Sequence, residues 1–456
     1  MAMVPRVTTP TQKSGSVAIV TPWLGLGGTE KGLVNHATAI DRERFDVRVV
    51  VTKGDGPRHA DLDAAGVPVV LATDGPDALA EALRGVDVAH AFRVGLAEPA
   101  VPAACRKAGV PHLIETNIFG RIDASSDEPQ FDCHLFVGQM CAWRYRERLG
   151  LTGPAFHERH RVLHWPIDIP GLRAAAPERR AAKLALGLDP DRPVVGRIGR
   201  DDDTKWRRLL VTMVPHLLEL VPDVQVMYVG ATPDKHKLLR RLGVHDRVSF
   251  VDTTFDEAQV MQRFMACDVF VTAAEIGESY SVAISEAMAL GLPIVTCSTP
   301  WVDNGQIEQV QQGVTGHIAD HPRAFAEACA DLIADPAKAD RFGAAAAVFA
   351  DERMDRMLLT RQLERLYAAL IAGEPIPGDG WVPSLVEVDG FGAEYEQRLT
   401  RSFRPLTARE RREVQVERYA EQARWALRAA RKLDRDNVGF LIGTLRARAR
   451  RLTTRR

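Results

Sequence analysis

Glu278-Ser-Tyr-Ser-Val-Ala-Ile-Ser-Glu286-Ala-Met-Ala-Leu-Gly-Leu-Pro-Ile-Val295 places a polar loop, a short apolar helix and a β-branched strand in immediate succession. Gly291 and Pro293 end the helix, since a proline there cannot continue it, and Ile294-Val295 open the strand. A helix opening near Ser281 leaves its first N–H groups unpaired at the carboxyl end of a sheet, where they can receive a diphosphate. Glu278 then sits in the loop at the mouth. Glu286 lies more than a turn inside the helix, where a carboxylate can accept two hydrogen bonds from a ribose diol.

Outward from this stretch, the chain alternates strand and helix signals in two series. The first begins at Ser16-Val-Ala-Ile-Val-Thr21 and continues through strand candidates 46–52, 69–72, 87–91, 112–116 and 133–138. After Ala- and Arg-rich connector 171–190, the second series has strand candidates at 193–198, 225–230, 248–251, 269–273 and 293–297. Such alternation predicts parallel sheets covered on both faces, with ligand at the carboxyl ends of the strands. The fold class is α/β: two Rossmann-like, doubly wound domains facing a cleft, over residues 16–170 and 191–373. Residues 354–372 read as one amphipathic helix closing the second half, and Gly373-Glu-Pro-Ile-Pro-Gly378 as the end of regular structure, leaving 374–456 as a basic, mostly helical extension.

Two further constellations fall where ligand should sit. Val194-Val-Gly-Arg-Ile-Gly-Arg200-Asp-Asp-Asp-Thr-Lys205 is a strand running into a loop with two cations, Arg200 and Lys205, placed to straddle a diphosphate; Arg197 is a rival for Arg200. Taken alone, such cations read as surface charges paired with Asp201 to Asp203, and their position in the second domain favours the ligand reading. A nucleoside diphosphate gains negative charge as it leaves, so fixed cations would stabilise the transition state more than the ground state, with no metal or other cofactor required. In the first domain, Gly25-Leu-Gly-Gly28-Thr-Glu30 is a glycine-rich turn facing Glu278, with Thr29 expected to cap the following helix and Gly27 and Gly28 to pack on phosphate or acceptor.

These stretches resemble glycosyltransferase family 4, whose hallmark is Glu, seven residues, Glu, then Ala-(Met)-Ala-x-Gly-x-Pro and an apolar strand. The resemblance runs over about residues 16–373 and is strongest in the second half. It implies the GT-B fold and retaining transfer of a sugar from a nucleoside diphosphate sugar to a hydroxyl acceptor. It also implies donor-sugar contact by Glu278, a ribose contact by Glu286, and donor-loop contacts by Ser279, Tyr280, Ser281 and Val282. Gly230 resembles the family's turn beneath the nucleotide, Val251 belongs to the stretch that lines the base, and Asn117 stands where sugar or acceptor would pass. The family's Gly-Phe-Gly after the first Glu is Ser279-Tyr280-Ser281 here, and no histidine aligns after 112–116. Because the leaving phosphate can itself take the acceptor proton, the resemblance does not make such a histidine obligatory.

Composition agrees with a globular chain: 46% of the 456 residues are apolar and 26% charged. The net charge of −1 conceals a basic tail, since residues 401–456 hold 17 Lys or Arg against 6 Asp or Glu. Apolar residues Val416, Ala420, Ala423, Leu427 and Ala430 recur at helical spacing there, which suits a helix packed on the protein's own surface or on another copy, or one lying at an anionic membrane. Nucleic acid is not expected as a partner. The six cysteines are far apart and read as reduced core thiols, and no run approaches a membrane span, so a cytoplasmic site, peripheral at the inner membrane face at most, is expected. Two other functions fit the same pattern: a GT-B nucleotide-sugar epimerase, which needs a general base, and a catalytically silent nucleotide-sugar-binding scaffold.

Overall fold

Strands β1 (Gly15–Trp23), β2 (Phe45–Gly54), β3 (Val69–Leu71), β4 (Val88–Arg93), β5 (His112–Asn117), β6 (Cys133–Phe136) and β7 (His160–Val162) form a seven-stranded sheet in the order β3-β2-β1-β4-β5-β6-β7. All its pairings are parallel. A six-stranded parallel sheet follows: β8 (Val194–Arg197), β9 (Gln225–Val229), β10 (Val248–Val251), β11 (Val269–Val271), β12 (Ile294–Thr296) and β13 (Gly316–Ile318), in the order β10-β9-β8-β11-β12-β13. The computed structural model describes residues 14–95, 98–122 and 130–431.

Both sheets share one winding. The chain starts in the middle, moves to one edge, then returns past its first strand, so the crevices between β1 and β4 and between β8 and β11 are topological switch points. Helices cover both faces, which is why the central strands are apolar without alternation: Val17 to Val20 in β1 are all buried. β7 and β13 add to the strands legible in the sequence; each has three residues centred on Arg161 or His317, too short to give a β-branched run.

Several expectations need correction. Gly27, not Thr29, caps the Gly28–Ala39 helix, and the Glu30 carboxylate folds back over Gly27. Most of the connector 171–190 is helical, in the Ile169–Ala175 and Arg179–Ala185 helices. The Arg356–Ile371 helix does not close the second domain. It crosses back to pack on β1 and β4, where Tyr367 Oη lies 2.7 Å from His90 Nδ1 and Thr360 Oγ1 lies 3.1 Å from His36 Nδ1. Two strands of chain cross between the domains side by side here, joined by Ile167 N to Met354 O at 2.8 Å and Arg356 N to Ile167 O at 2.9 Å.

Regular structure also continues past Gly378. The Leu385–Thr400 helix, opened by a Ser384/Glu387 capping box, lies on the Gln139–Leu149 helix of the first domain through Trp143, Phe391 and Tyr395. Its Arg398 donates to the carbonyls of Ile307 and Glu308 in the second domain, so it staples the two domains. The Ala408–Arg431 helix then runs over the second domain, as self-packing predicted, but with a different face inward: Val416 and Leu427 are 68% and 61% exposed. The apolar run 438–445 and the arginines after it lie outside the described residues. All six cysteines are buried and unbonded, and among the described residues no helix is long and apolar enough to cross a membrane.

Candidate active site

The two switch points face each other across a cavity of about 730 Å³. Its walls are the turn after β1, the loop after β8, the segment after β10 and the loop and helix after β11. Within each sheet the topology gathers these segments, since each leaves the carboxyl end of a strand.

The 275–281 loop feeds the Val282–Ala289 helix, and Ser281 caps it by accepting from Ile284 N at 3.4 Å. Val282 and Ala283, the first two residues of the helix, line the cavity. The loop is held from behind by a short helix, Gln306–Gln309. Gln306 Oε1 accepts from Glu278 N at 3.2 Å, and Gln309 brackets Ser281, accepting from its N–H at 2.8 Å and donating to its carbonyl at 2.9 Å. This bracing fixes a loop that has side chains where the family has glycines. Ser279 is buried, and Tyr280 is buried against the His164 ring with centroids 4.3 Å apart.

Lys205, at the end of a single 3-10 turn (Asp203–Lys205), reaches across to Glu278, Nζ to Oε2 2.7 Å. Arg200 projects into the cavity with its side chain 53% exposed, 4.0 Å from Asp202. Arg197, the rival of Arg200, also lines the cavity, in a different setting. Arg197 is buried over the Trp206 ring at 4.0 Å and donates to the carbonyls of Val229, Arg200 and Lys205, so it shapes the loop from inside. Burial pulls its pKa down to about 9, which leaves it charged at neutral pH.

Glu286, buried one turn into its helix, is bound by a residue the sequence reading passed over. Lys31 Nζ lies 2.6 Å from Glu286 Oε1 and 3.0 Å from Glu257 Oε1. Burial works to lower the Lys31 pKa, but the two carboxylates outweigh it and leave it raised. Close by, Gly28 meets Val282: a Cβ on Gly28 would come within 3.0 Å of Val282 Cγ2, so the first turns of the two helices touch across the cleft. Gly27 and Gly28 both line the cavity, as do Trp23 and Arg58 on the first-domain wall.

Three expected residues are elsewhere. Gly230, with φ +71°, lies under the Gly199–Arg200 turn, donating to Val251 O at 3.1 Å and accepting from Trp206 Nε1 at 2.8 Å. Gly230 and Val251 thus support the floor, and Thr253, Thr254 and Phe255 line it instead. Asn117 is fully buried, donating to Arg121 O at 2.8 Å and accepting from Arg121 N at 3.2 Å; it ties its own loop and does not reach the cavity. His90, between Tyr367 and Thr116, is structural, and burial pulls its pKa down to about 3.

Residues 192–335 match the family described as Glycosyl transferases group 1. D-inositol 3-phosphate glycosyltransferase of Mycolicibacterium vanbaalenii is 32% identical over 200 residues, 40% of this chain and 42% of that protein. Spore coat protein SA of Bacillus subtilis is 28% identical over 177 residues, 36% and 45% of the two chains. The chain thus matches less than half the length of these relatives. Over longer stretches the likeness is one of fold: Anabaena HepE, crystallised with UDP and glucose, superimposes with a TM-score of 0.64 at 19% identity, over 77% of this chain and 98% of that one. Sucrose-phosphate synthase of Thermosynechococcus elongatus gives 0.61 at 18% identity, over 79% and 100%. Residues 192–335 thus resemble the glycosyl transferases group 1 family, and the chain as a whole has the GT-B fold.

Proposed function

We propose that the protein is a retaining glycosyltransferase that moves a sugar from a nucleoside diphosphate sugar to a hydroxyl acceptor, with the donor bound in the second-domain wall of the cleft. The observation that carries this reading is the Lys205–Glu278 pair, set beside Arg200 and the open first turn of the Val282–Ala289 helix. A diphosphate placed there meets two cations and a helix N-terminus at once, and its sugar lies against Glu278. As the bond from the anomeric carbon to the phosphate oxygen breaks, the charge that develops on the diphosphate meets a field already in place, and no metal ion is required. Glu286 receives the ribose, and Phe255 and Thr253 stand where the base would lie.

Retention follows if the acceptor hydroxyl attacks from the face the diphosphate leaves, its proton passing to the departing phosphate oxygen. Glu278, already bonded to Lys205, then supports the donor sugar without forming a covalent bond to it. The first-domain wall, with Trp23 and Arg58, faces the acceptor. Because Anabaena HepE was crystallised with UDP-glucose, uridine diphosphate sugars are the first donors to test. The test is a panel of nucleotide sugars in thermal-shift measurements, followed by transfer assays with the best binder and anomeric analysis of the product. Stabilisation by at least one nucleotide sugar and an α-linked product from an α-linked donor are expected; inversion, or no stabilisation by any member of the panel, overturns the reading. Interconversion of the donor without an acceptor would point to the epimerase, and binding without turnover to the scaffold.

A further inference from the structure

Glu421 and Arg424, on the Ala408–Arg431 helix, reach the backs of the loops that carry Lys205 and Glu278. Glu421 Oε1 accepts from Arg207 Nε at 2.7 Å, and both side chains are only 2% exposed. Arg207 stands two residues beyond Lys205, and its own N–H donates to Ala273 O at 2.9 Å. Arg424 Nε lies 3.4 Å from Glu275 Oε1, three residues before Glu278, while its Nη2 is fixed by Glu417 at 2.8 Å. Glu275 and Ile276 in turn donate from their backbones to Thr204 O, at 2.9 and 3.3 Å. The guanidinium groups of Arg207 and Arg418 each lie 5.1 Å from the centre of the Trp301 ring, which adds the loop of Asp303, another residue of the cavity wall.

The chemistry of the helix explains which face is inward. Glu410, Glu413, Glu417 and Glu421 recur at spacings of three and four and so form one stripe. Glu413 pairs with His321 at 2.8 Å, and Glu421 pairs with the buried Arg207. A buried guanidinium without its carboxylate is strongly unfavourable, so the Arg207 pair fixes the helix at this point and not merely near it. Arg404, Glu410 and His321 anchor the start of the helix away from the cavity.

We infer that this helix is a positioning element of the donor site, and that Glu421 and Arg424 are positioning residues that hold Lys205 and Glu278 in register. The inference rests on the reading of those two side chains as donor groups. The Lys205–Glu278 bond joins two separate loops, and a displacement of about 1 Å between them takes it beyond hydrogen-bond range and misplaces the cation relative to the leaving diphosphate. Among the described residues no hydrogen bond or ion pair joins the helix to Glu286 or to the Gly27–Gly28 turn, so nucleotide affinity should depend on it far less than turnover does.

The test uses the full chain with Glu421→Gln, Arg424→Ala and Arg424→Lys, and Glu413→Ala as a control on the same face away from the loops. Amide hydrogen exchange reads Arg207, Glu275 and Ile276 directly, and steady-state kinetics with the best donor separate kcat from KM. Arg424→Ala and Glu421→Gln are expected to speed exchange at these amides about fivefold or more and to lower kcat about 5- to 20-fold, with donor KM and UDP affinity within about twofold. Arg424→Lys should recover part of both losses, and Glu413→Ala should change neither. If Glu421→Gln does not fold, Arg207→Met with Glu421→Leu removes both buried charges together and is read in the same way. Parental exchange at all three amides in folded variants, or equal effects from Glu413→Ala, overturns the inference. Should the parent transfer no sugar from any donor, the proposed function fails, while the exchange experiment still decides whether this helix holds the two loops.

Discussion

Lys31 of the first domain and Glu286 of the second are joined across the cleft by an ion pair of 2.6 Å in which both side chains are nearly buried. Glu286 is the residue expected to hold the donor ribose, so the pair couples donor binding to the separation of the domains. A ribose that takes the carboxylate must share it with Lys31 or displace it toward Glu257, which already lies 3.0 Å from Lys31. Substituting Glu286 therefore removes both a ligand contact and a contact between domains.

Glu286→Gln is expected to weaken binding of the best donor nucleotide by about 1.5–3 kcal/mol, the range for a hydrogen bond to a charged group, or roughly 10- to 100-fold. Titration calorimetry with the nucleoside diphosphate measures it. Lys31→Ala, run in parallel, tests the coupling: it leaves the ribose ligand in place but removes this contact at the mouth of the cleft, so scattering profiles without ligand should show a wider cleft. Unchanged nucleotide affinity in Glu286→Gln would remove this residue from the site.

The return of the Arg356–Ile371 helix to the first domain has its own consequence. Tyr367 Oη meets His90 Nδ1 at 2.7 Å in a fully buried setting, and its ring also packs edge-on to Phe45. Tyr367→Phe keeps the packing and leaves one histidine nitrogen unsatisfied, which should cost about 1–3 kcal/mol of stability. Urea denaturation followed by the first-domain signal checks this; a variant as stable as the parent would show that the hydrogen bond is replaced by water.

Local patterns made the strands and the donor helix legible, because each is a short segment whose own residues specify it. Glu278, Arg200 and Lys205 could be placed in the cleft for the same reason: each follows directly on a strand whose carboxyl end must face it. Lys31, Gln306 and Gln309 could not be found this way. Their partners lie 255, 28 and 28 residues away, and nothing in Gln306-Ile-Glu-Gln309 tells a surface turn from a brace behind the donor loop. The Ala408–Arg431 helix shows a pattern read on the wrong face. Its stripe of Val416, Ala420, Ala423 and Leu427 looked like a packing surface, but the glutamates of the flanking stripe find Arg207 and His321, and those charge pairs decide which side faces inward. Asn117 was placed by its neighbourhood and turned inward because Arg121 supplies both its acceptor and its donor.

Glu308 provides a test that depends on pH. Its carboxylate, buried where the two domains meet, accepts from the backbone of Gln139 at 2.9 Å and Met140 at 3.2 Å, at the start of a first-domain helix, with His164 Nε2 3.9 Å away. Burial pushes its pKa up from 4.5 to about 7, outweighing the two N–H groups. Between about pH 4.5 and 7 the folded protein keeps a proton that the unfolded chain releases. The stability associated with the neutral carboxyl is therefore full below pH 4.5 and is lost as pH rises through 7. Glu308→Gln keeps an acceptor without the charge, so its stability relative to the parent should rise between pH 5 and 8, by an amount on the order of 2–4 kcal/mol at about 1.4 kcal/mol per pKa unit. Buried histidines such as His36 and His90, held neutral by burial, destabilise both proteins alike in acid and cancel from the comparison. Melting curves of the pair at pH 5, 6.5 and 8 decide it; a constant difference would mean that Glu308 does not titrate in this range.

In the proposed reaction Arg200 and Lys205 act in the chemical step itself. Lys205 is bonded to Glu278 and Arg200 is largely free in the cavity, so the two cations approach the diphosphate from different degrees of order. Both meet a charge that grows as the donor bond breaks, and an interaction that strengthens toward the transition state appears in kcat more than in binding. Arg200→Ala and Lys205→Ala are each expected to lower turnover about 10²-fold or more while weakening donor binding less than tenfold, the scale seen when one preorganised donor to a developing anion is removed. Lys205→Ala should have the larger effect, because it also removes the cation bonded directly to Glu278. A chelator in the assay should change the parental rate little, since the two cations and the first turn of the Val282–Ala289 helix supply the positive field. A rate that collapses with chelator, or alanine variants that turn over normally at saturating donor, would place the diphosphate somewhere other than between these two side chains.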